Sequence, residues 1–294
     1  MIDRRRFLQA SLAAALPVRA DSPLANFPTA PRDRIAIASW PFRKLFDPKK
    51  GTLPLLEFPK MVVERFGVHA VEPLDQHFAE TSTAYLDAFR SALDKANVRV
   101  ANIPVGRLGG SFYDPAGRGI AIETAKKWVD VASALGSPSI RGHIASANVP
   151  PNVSIAAESL KELAGYGEKK NVVVHLENDD VRSEETFFLI DVIQAANTPW
   201  LRALPDFCNS MLLNRGEDYN TKAVSALFQY AWGICHVKDS EQDGRKMHQV
   251  NLARLLAVAK QSGFRGYYSI EYDAEGDPFQ PTERLIQQVL RALV

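Results

Sequence analysis

Cysteine is scarce in this chain: Cys208 and Cys235 are the only two among 294 residues. That count excludes a disulfide framework, and the pair lacks the spacing of a structural zinc site. Both are expected to be buried free thiols. A surplus of charge is missing too, with 35 Lys and Arg against 34 Asp and Glu and a net charge of +1. Nucleic-acid binding would need basic residues in excess and clustered, so that class of partner is set aside. Long hydrophobic runs are also lacking. The mostly apolar stretch from Leu8 to Leu16 falls well short of the ~20 residues that span a bilayer, so no stable membrane anchor is expected. No Pro/Ser-rich linker or short repeat divides the chain. With 46% apolar and 23% charged residues, an ordinary globular domain is the expectation.

Residues 1–20 stand apart from that domain. A basic start, the short apolar run and small residues at Val18 and Ala20 have the layout of an export signal. Arg4 and Arg5, followed by Phe7 and Leu8, resemble the twin-arginine type. The expected organisation is therefore a twin-arginine-type signal peptide over 1–20, a linker over 21–33 and one catalytic domain over 34–294. The partner implied is the twin-arginine export machinery, and the location is the periplasm or another exported compartment. Without residues 1–20 the chain keeps 31 basic and 33 acidic residues, a net charge of −2.

From Arg34 onward, β-rich runs alternate with helical spacing of apolar residues. The runs are RIAIASW (34–40), VHAVEPLD (68–75), VRVANIPVG (98–106), SPSIRGH (137–143), NVVVHLEN (171–178), LRALPDF (201–207), GICHVKD (233–239) and GYYSIEYD (266–273). Asn97, Gly136 and Gly263 stand where helices between them should end. Eight strand–helix units in this length predict a closed (β/α)8 TIM barrel rather than an open doubly wound sheet. The longest irregular stretches, 41–53, 106–118, 208–220 and 240–250, all follow strands, on the side where such barrels build their sites. The glycine-rich GRLGG (106–110) lacks the helix entry of a phosphate loop and reads as a flexible lid.

The last four runs each carry a polar residue of metal-ligand type near the end: Glu177, Asp206, His236 and Glu271. Alternation along a strand puts Glu177 on the face of His175, and Lys238 on the face of His236. Three carboxylates cannot all ionise at short range unless a cation stands among them. Oxygen-rich ligation with one imidazole suits a single divalent ion, Mn²⁺ first, with Mg²⁺, Co²⁺ and Zn²⁺ as alternatives.

The segments VHLEN, LPDF, CHVKD and YYSIEY, in that order and spacing, resemble the sugar isomerase/epimerase branch of the xylose isomerase-like TIM barrels, over essentially all of 34–294. The resemblance implies metal ligation by Glu177, Asp206, His236 and Glu271. It also implies that Glu177 and Glu271 act as the acid/base pair on opposite faces of a bound sugar. A divalent ion on a carbonyl and its neighbouring hydroxyl stabilises an enediolate, with carboxylates moving the α proton. The expected activity is a metal-dependent isomerase or epimerase acting on a non-phosphorylated sugar or keto-sugar.

One position departs from that family. A histidine commonly stands three residues after the metal aspartate; here it is Asn209, which can hydrogen-bond a hydroxyl but cannot shuttle a proton. The departure leaves room for a lyase or hydrolase that cleaves 3-keto-glycosides by β-elimination, or a keto-sugar dehydratase. A non-catalytic exported sugar-binding barrel is a further alternative, and an abasic-site endonuclease of the same superfamily is disfavoured by the near-neutral charge. Substrate contacts are expected from Asn209, Lys238, His143, Arg141, Glu72, Trp40 and His248. For Lys238, an oxyanion or sugar-hydroxyl contact and a salt bridge to Glu177 or Glu271 stay equally open. His77 is expected to make a structural hydrogen bond.

Overall fold

The computed structural model describes residues 22–23, 26–145 and 147–294; the signal expected over 1–20 lies outside them. Each β-rich run forms a strand: β1 (Ile35–Ala38), β2 (Ala70–Glu72), β3 (Arg99–Val100) with β4 (Ile103–Val105), β5 (Ser139–Gly142), β6 (Val173–Glu177), β7 (Leu201–Leu204), β8 (Ile234–Val237) and β11 (Tyr267–Ile270). Two further strands, β9 (Ser240–Asp243) and β10 (Lys246–Gln249), form a separate antiparallel hairpin.

The parallel strands run in the orders β3-β2-β1-β11-β8 and β4-β5-β6-β7. Two seams join these arcs. The third run pairs with β2 through its first half and with β5 through its second, and Pro104, which has no N–H for a ladder, falls in that second half. Between β7 and β8 the bridges Ala203↔Ala231 and Asp206↔His236 take over. The ring is thereby complete, and the TIM barrel expected from the alternation is the fold.

The principal helices of the wall are α2 (Phe58–Phe66), α3 (Thr83–Ala96), α4 (Arg118–Leu135), α5 (Val153–Glu168), α6 (Thr186–Ala196), α7 (Glu217–Phe228), α8 (Leu252–Gln261) and α9 (Phe279–Leu293), with a single turn, α1 (Arg43–Phe46), before α2. Their apolar faces and the outward residues of the strands make one core, including Ile37, Val71, Ile140, Val174, Cys235 and Ile270. Caps fix where several helices begin and end. Ser82 Oγ accepts from the Tyr85 N–H, Asn152 from Ile155 and Asn251 from Arg254, as polar N-caps do. Asn97 and Gly136 close α3 and α4 in the left-handed region. Both cysteines are buried and free. No helix among the described residues is long and apolar enough to cross a membrane.

The inward set is graded along the barrel axis. Ala36, Ala70, Ala101, Leu204, Ile234 and Tyr267 form a small second cluster, while Glu72, Arg141, Glu177, His236 and Lys238 sit within one residue of their strand ends. Beneath the small cluster lies Phe27, edge-on to Trp232 and Tyr267 at 5.1 and 6.0 Å. Phe27, within the linker expected over 21–33, thus packs under the barrel; Arg34, the first residue of the expected domain, donates to the Phe264 and Gly266 carbonyls.

Three loop expectations change. The stretch 240–250 is the β9–β10 hairpin, turning at Gly244 with φ 58°, a polar ribbon that shows no apolar alternation. The stretch 208–220 contains the short helical turn Asn209–Leu213. GRLGG is anchored rather than lid-like, with Leu108 buried and the Arg107 N–H donating to Asp75 Oδ2. A Cβ on Gly110 would lie 2.3 Å from the Gly117 carbonyl oxygen, so only glycine permits that approach.

Two buried histidines are held neutral by their surroundings. Burial lowers His175 to about 3 and His77 to about 4; Nδ1 of His77 lies 2.7 Å from Ser39 Oγ, the structural hydrogen bond expected. The unfolded chain protonates both below about pH 6.5 while the folded chain does not, so stability is full above that pH and falls as the solution is acidified. At pH 5 each histidine should cost about 2 kcal/mol relative to pH 7. Urea unfolding at the two pH values checks this: His175→Gln should shrink the pH 7-to-5 loss by about 2 kcal/mol, and an unchanged loss would contradict it.

Candidate metal centre

Glu177 ends β6, Asp206 follows β7, His236 lies within β8 and Glu271 follows β11. Each offers one ligand atom, and all four atoms lie within 4.8 Å of one another. All four side chains are buried. Glu177 Oε1 is 2.8 Å from His236 Nδ1, and Glu271 Oε2 is 3.2 Å from the same nitrogen. Asp206 turns Oδ1 to the backbone N–H groups of Cys208 and Asn209, at 2.8 and 2.7 Å. Its Oδ2 is buried and accepts no hydrogen bond; the nearest cation, Lys238 Nζ, is 3.5 Å away.

Electrostatics follow from that crowding. Burial pushes the Asp206 carboxyl up to about 7, with Lys238 opposing and the Glu177 and Glu271 charges adding to the rise. Burial likewise raises Glu177, against the pull of His236 and Arg141. Glu271 goes the other way: burial would raise it, but His236 and Lys238 outweigh that and hold it well below the usual carboxylate range. His236 resists its burial because Glu177, Glu271 and Glu72 surround it, and it is held well above the usual imidazole range.

Four buried carboxylates (Glu72, Glu177, Asp206, Glu271) therefore meet three basic groups (Arg141, His236, Lys238), and two of their oxygens accept no hydrogen bond: Glu177 Oε2, which faces the Arg141 guanidinium at 2.9 Å, and Asp206 Oδ2, which has no cation that close. The Asp206 oxygen, beside three further ligand atoms of oxygen and imidazole type, fits a hard or borderline divalent cation. The donor set does not choose among such ions.

The remaining expected residues are distributed around and below this cluster. Arg141 Nε stands 2.9 Å from Glu177 Oε2. Lys238 Nζ donates to Asn209 Oδ1 at 3.0 Å and to Glu241 Oε2 at 2.8 Å, and lies 3.3 Å from Glu271 Oε2. Of its two expected acidic partners it meets Glu271, together with Glu241, which the sequence did not suggest. Asn209 Nδ2 donates to Glu177 Oε1 at 3.4 Å, so this amide links Lys238 to Glu177. Trp40 donates from Nε1 to Asp273 at 2.7 Å and stacks under Arg43 at 4.4 Å.

Two expected substrate contacts lie elsewhere. Glu72 is fully buried beneath His236, with both carboxylate oxygens 3.0 Å from Nε2. It also accepts from Asn102 Nδ2 at 2.7 Å and Ser269 Oγ at 2.5 Å, which leaves no surface for a substrate. His248 is buried on β10 and does not line the pocket.

The pocket above the cluster is a cavity of about 280 Å³, lined by Trp40, Arg107, Arg141, His143, Glu177, Asn209, Lys238, Glu271 and Asp273, among others. Its polar lining and size, just under the usual small-molecule range, suit a small hydroxylated molecule. On the rim His143 Nδ1 lies 2.8 Å from Glu184 Oε2. His143, Asp179 and Glu184 form a second group within 4.8 Å, but both Glu184 oxygens are already held by the Ile144 and Asp180 N–H groups. Asp179, Glu184, Glu241 and Asp273 were missed because all four lie outside the β-rich runs or past their last strand residue, where no periodicity marks a direction.

A family model for the xylose isomerase-like TIM barrel matches residues 62–293. The chain belongs to that family. Among solved structures, it is similar to a xylose isomerase-like TIM barrel protein from Mycobacterium smegmatis in complex with magnesium, at 17% identity and TM-score 0.71, covering 91% of this chain and 100% of that one. A D-allulose 3-epimerase from Methylomonas sp. in complex with D-allulose matches at 17% identity and TM-score 0.67, covering 92% and 98%. A 3-keto-D-glucoside 4-epimerase from E. coli, in its apo form, matches at 17% and 0.64, covering 88% and 98%. At these identities the likeness is one of fold. No curated protein sequence matches the chain. Within the xylose isomerase-like barrels, then, the four strand-end residues occupy the side on which TIM-barrel sites are built.

Proposed function

We propose that the chain is a divalent-metal-dependent enzyme that moves a proton on a carbon next to a carbonyl, isomerising or epimerising a non-phosphorylated sugar or keto-sugar. The observation that carries this reading is the convergence of Glu177, Asp206, His236 and Glu271 within 4.8 Å, at the floor of a polar pocket. Solved relatives by fold described as sugar epimerases support the same chemistry. In this reading those four residues hold the ion. When bound, the ion supplies Lewis acidity to a substrate carbonyl and adjacent hydroxyl. Mn²⁺ heads the candidates, ahead of Mg²⁺, Co²⁺ and Zn²⁺.

The residues divide the proton work. Glu177 and Glu271, whose oxygens lie 2.8 and 3.2 Å from one nitrogen of His236, are assigned as the acid/base pair that takes and returns the α proton. Without the ion, burial raises Glu177 while His236 and Lys238 hold Glu271 ionised. Arg141 orients Glu177, and Lys238 orients Asn209 and faces the position where oxygen charge would develop. Glu72 fixes the far nitrogen of His236, leaving Nδ1 to face the ligand carboxylates. Glu72→Gln should therefore weaken metal affinity by about 10–100-fold while the protein stays folded; unchanged affinity in a metal-buffered titration would contradict this role.

A second reading rests on Asn209. Its amide is tied to both Lys238 and Glu177 and cannot carry a proton, which favours β-elimination from a 3-keto-glycoside over simple 3-epimerisation. In that step a carboxylate removes the proton α to the ketone, the C–O bond to the aglycone breaks, and the aglycone leaves with a proton. Incubation in D₂O with D-allulose, D-tagatose, L-ribulose and 3-keto-glucosides separates the readings: deuterium at one carbon with intact substrate supports the isomerase or epimerase, and released aglycone the lyase. Neither signal, with each metal supplied, would sink both. Export by the twin-arginine route, read from residues 1–20, belongs to the same proposal; N-terminal sequencing of the secreted protein tests it.

A further inference from the structure

The pocket does not end at Arg107. Asp75, Gln76 and Arg107 line both the 280 Å³ pocket and a neighbouring groove of about 960 Å³, so the two adjoin at these three residues. Their electrostatic characters are opposite. The pocket carries Glu177 and Glu271 of the metal centre, with Asp179, Glu241 and Asp273 beside them, against the cations Arg141 and Lys238. The groove is lined by Arg43, Lys44, Lys49, Lys50 and Arg107, against only Asp47 and Asp75.

The groove's acids are engaged by backbone. Asp47 Oδ1 accepts from the N–H groups of Lys49 and Lys50 at 2.8 and 2.9 Å, and Asp75 from those of Gln76 and Arg107 at 2.7 and 3.1 Å. Two of the cations are engaged as well, Arg43 with Asp273 at 3.0 Å and Lys44 with Glu275 at 2.9 Å. Lys49, Lys50 and Arg107 make no salt bridge or side-chain hydrogen bond among the described residues, though the Asp47 charge is felt by both lysines. Trp128, half-buried against Phe78 with ring centres 5.3 Å apart, adds an aromatic wall of the kind against which a sugar ring lies.

We propose that the groove is a subsite for the part of the substrate that stays outside the pocket, and that it takes an anionic sugar acid. The substrate class is then an anionic glycoside, with its neutral ring in the pocket and its acidic portion between Arg107, Lys49 and Lys50. This rests on the sugar-chemistry reading of the pocket and names the substrate for it. The cations deep in the pocket, Arg141 and Lys238, are already paired with its carboxylates, whereas the groove offers three basic heads without a salt-bridge partner among the described residues.

The test is calorimetric binding to the full chain of three matched pairs: maltose and maltobionate, cellobiose and cellobionate, lactose and lactobionate. At least one bionate should bind about tenfold or more tightly than its neutral parent at low salt, and the preference should shrink at about 0.5 M NaCl. The K49Q/K50Q variant, altered only at exposed side chains that line the groove and not the pocket, should lose most of the preference while binding the neutral parent as before. Equal affinity within every pair, a preference that survives the double substitution, or no binding by any bionate would overturn the subsite. Absence of metal or of α-proton exchange would overturn the pocket chemistry while leaving such a preference intact, so the two failures are distinguishable.

Discussion

Glu271→Gln and Glu177→Gln, each assayed with metal at saturation, should lower solvent-deuterium incorporation into a turned-over keto-sugar by about 10²–10⁴-fold. Glutamine keeps the size of glutamate and one carbonyl acceptor, so a deficit of that size reports lost proton transfer more than lost shape. Both carboxylates lie against one nitrogen of His236, at 2.8 and 3.2 Å, and so both face the same small volume. Without the ion, their surroundings push them apart, Glu271 toward the ionised form and Glu177 toward the protonated one. The other two carboxylates of the cluster are arranged differently: Glu72 is enclosed beneath the histidine, and Asp206 is tied through Oδ1 to two backbone donors. Either variant exchanging deuterium within tenfold of wild type would remove that residue from the acid/base assignment.

Arg141→Met should cost the metal-free protein about 3–5 kcal/mol, as expected when one partner of a buried ion pair is removed. The side chains of Arg141 and Glu177 are only 9% and 2% exposed and stand 2.9 Å apart, so the variant leaves Glu177 with one cation fewer in a medium that poorly solvates it. Adding Glu177→Gln to Arg141→Met should recover most of the loss, because the second change removes the stranded charge. Urea unfolding of the four proteins in chelator, read as a double-mutant cycle, measures the coupling. A single-variant loss below about 1 kcal/mol, or strictly additive losses, would mean that water reaches this pair and that the site is less enclosed than the packing implies.

What could be read from the sequence, and what could not, follows from periodicity. The eight runs were legible because outward residues such as Val71, Ile140 and Val174 carry the barrel-to-helix core, and their spacing survives in one dimension. Strand alternation also put His236 and Lys238 on one face, since alternate residues along a strand point the same way. Alternation does not give depth. Glu72 points inward as its position in β2 requires, but it lies beneath His236 with Asn102 and Ser269 as partners. That level is set by how the strands are staggered around the ring. The β9–β10 hairpin was hidden for a different reason: its strands, SEQD and KMHQ, are polar but for Met247 and offer no alternation to read. Glu241 reaches Lys238 from this hairpin and was invisible with it. Asn209 was noticed as a departure, yet its restraint by Lys238 and Glu177 emerges only when β6, β7 and β8 are side by side.

Glu177, Asp206, His236 and Glu271 should together hold a divalent ion. Elemental mass spectrometry on the protein purified without chelator, beside His236→Ala prepared identically, decides this. Close to one equivalent of Mn, Mg, Co or Zn per wild-type chain is expected, and its loss in the variant. A wild-type protein that retains none of these ions even after each is supplied would contradict it, and the buried carboxylates around His236 would then stand as an ionic network without a metal.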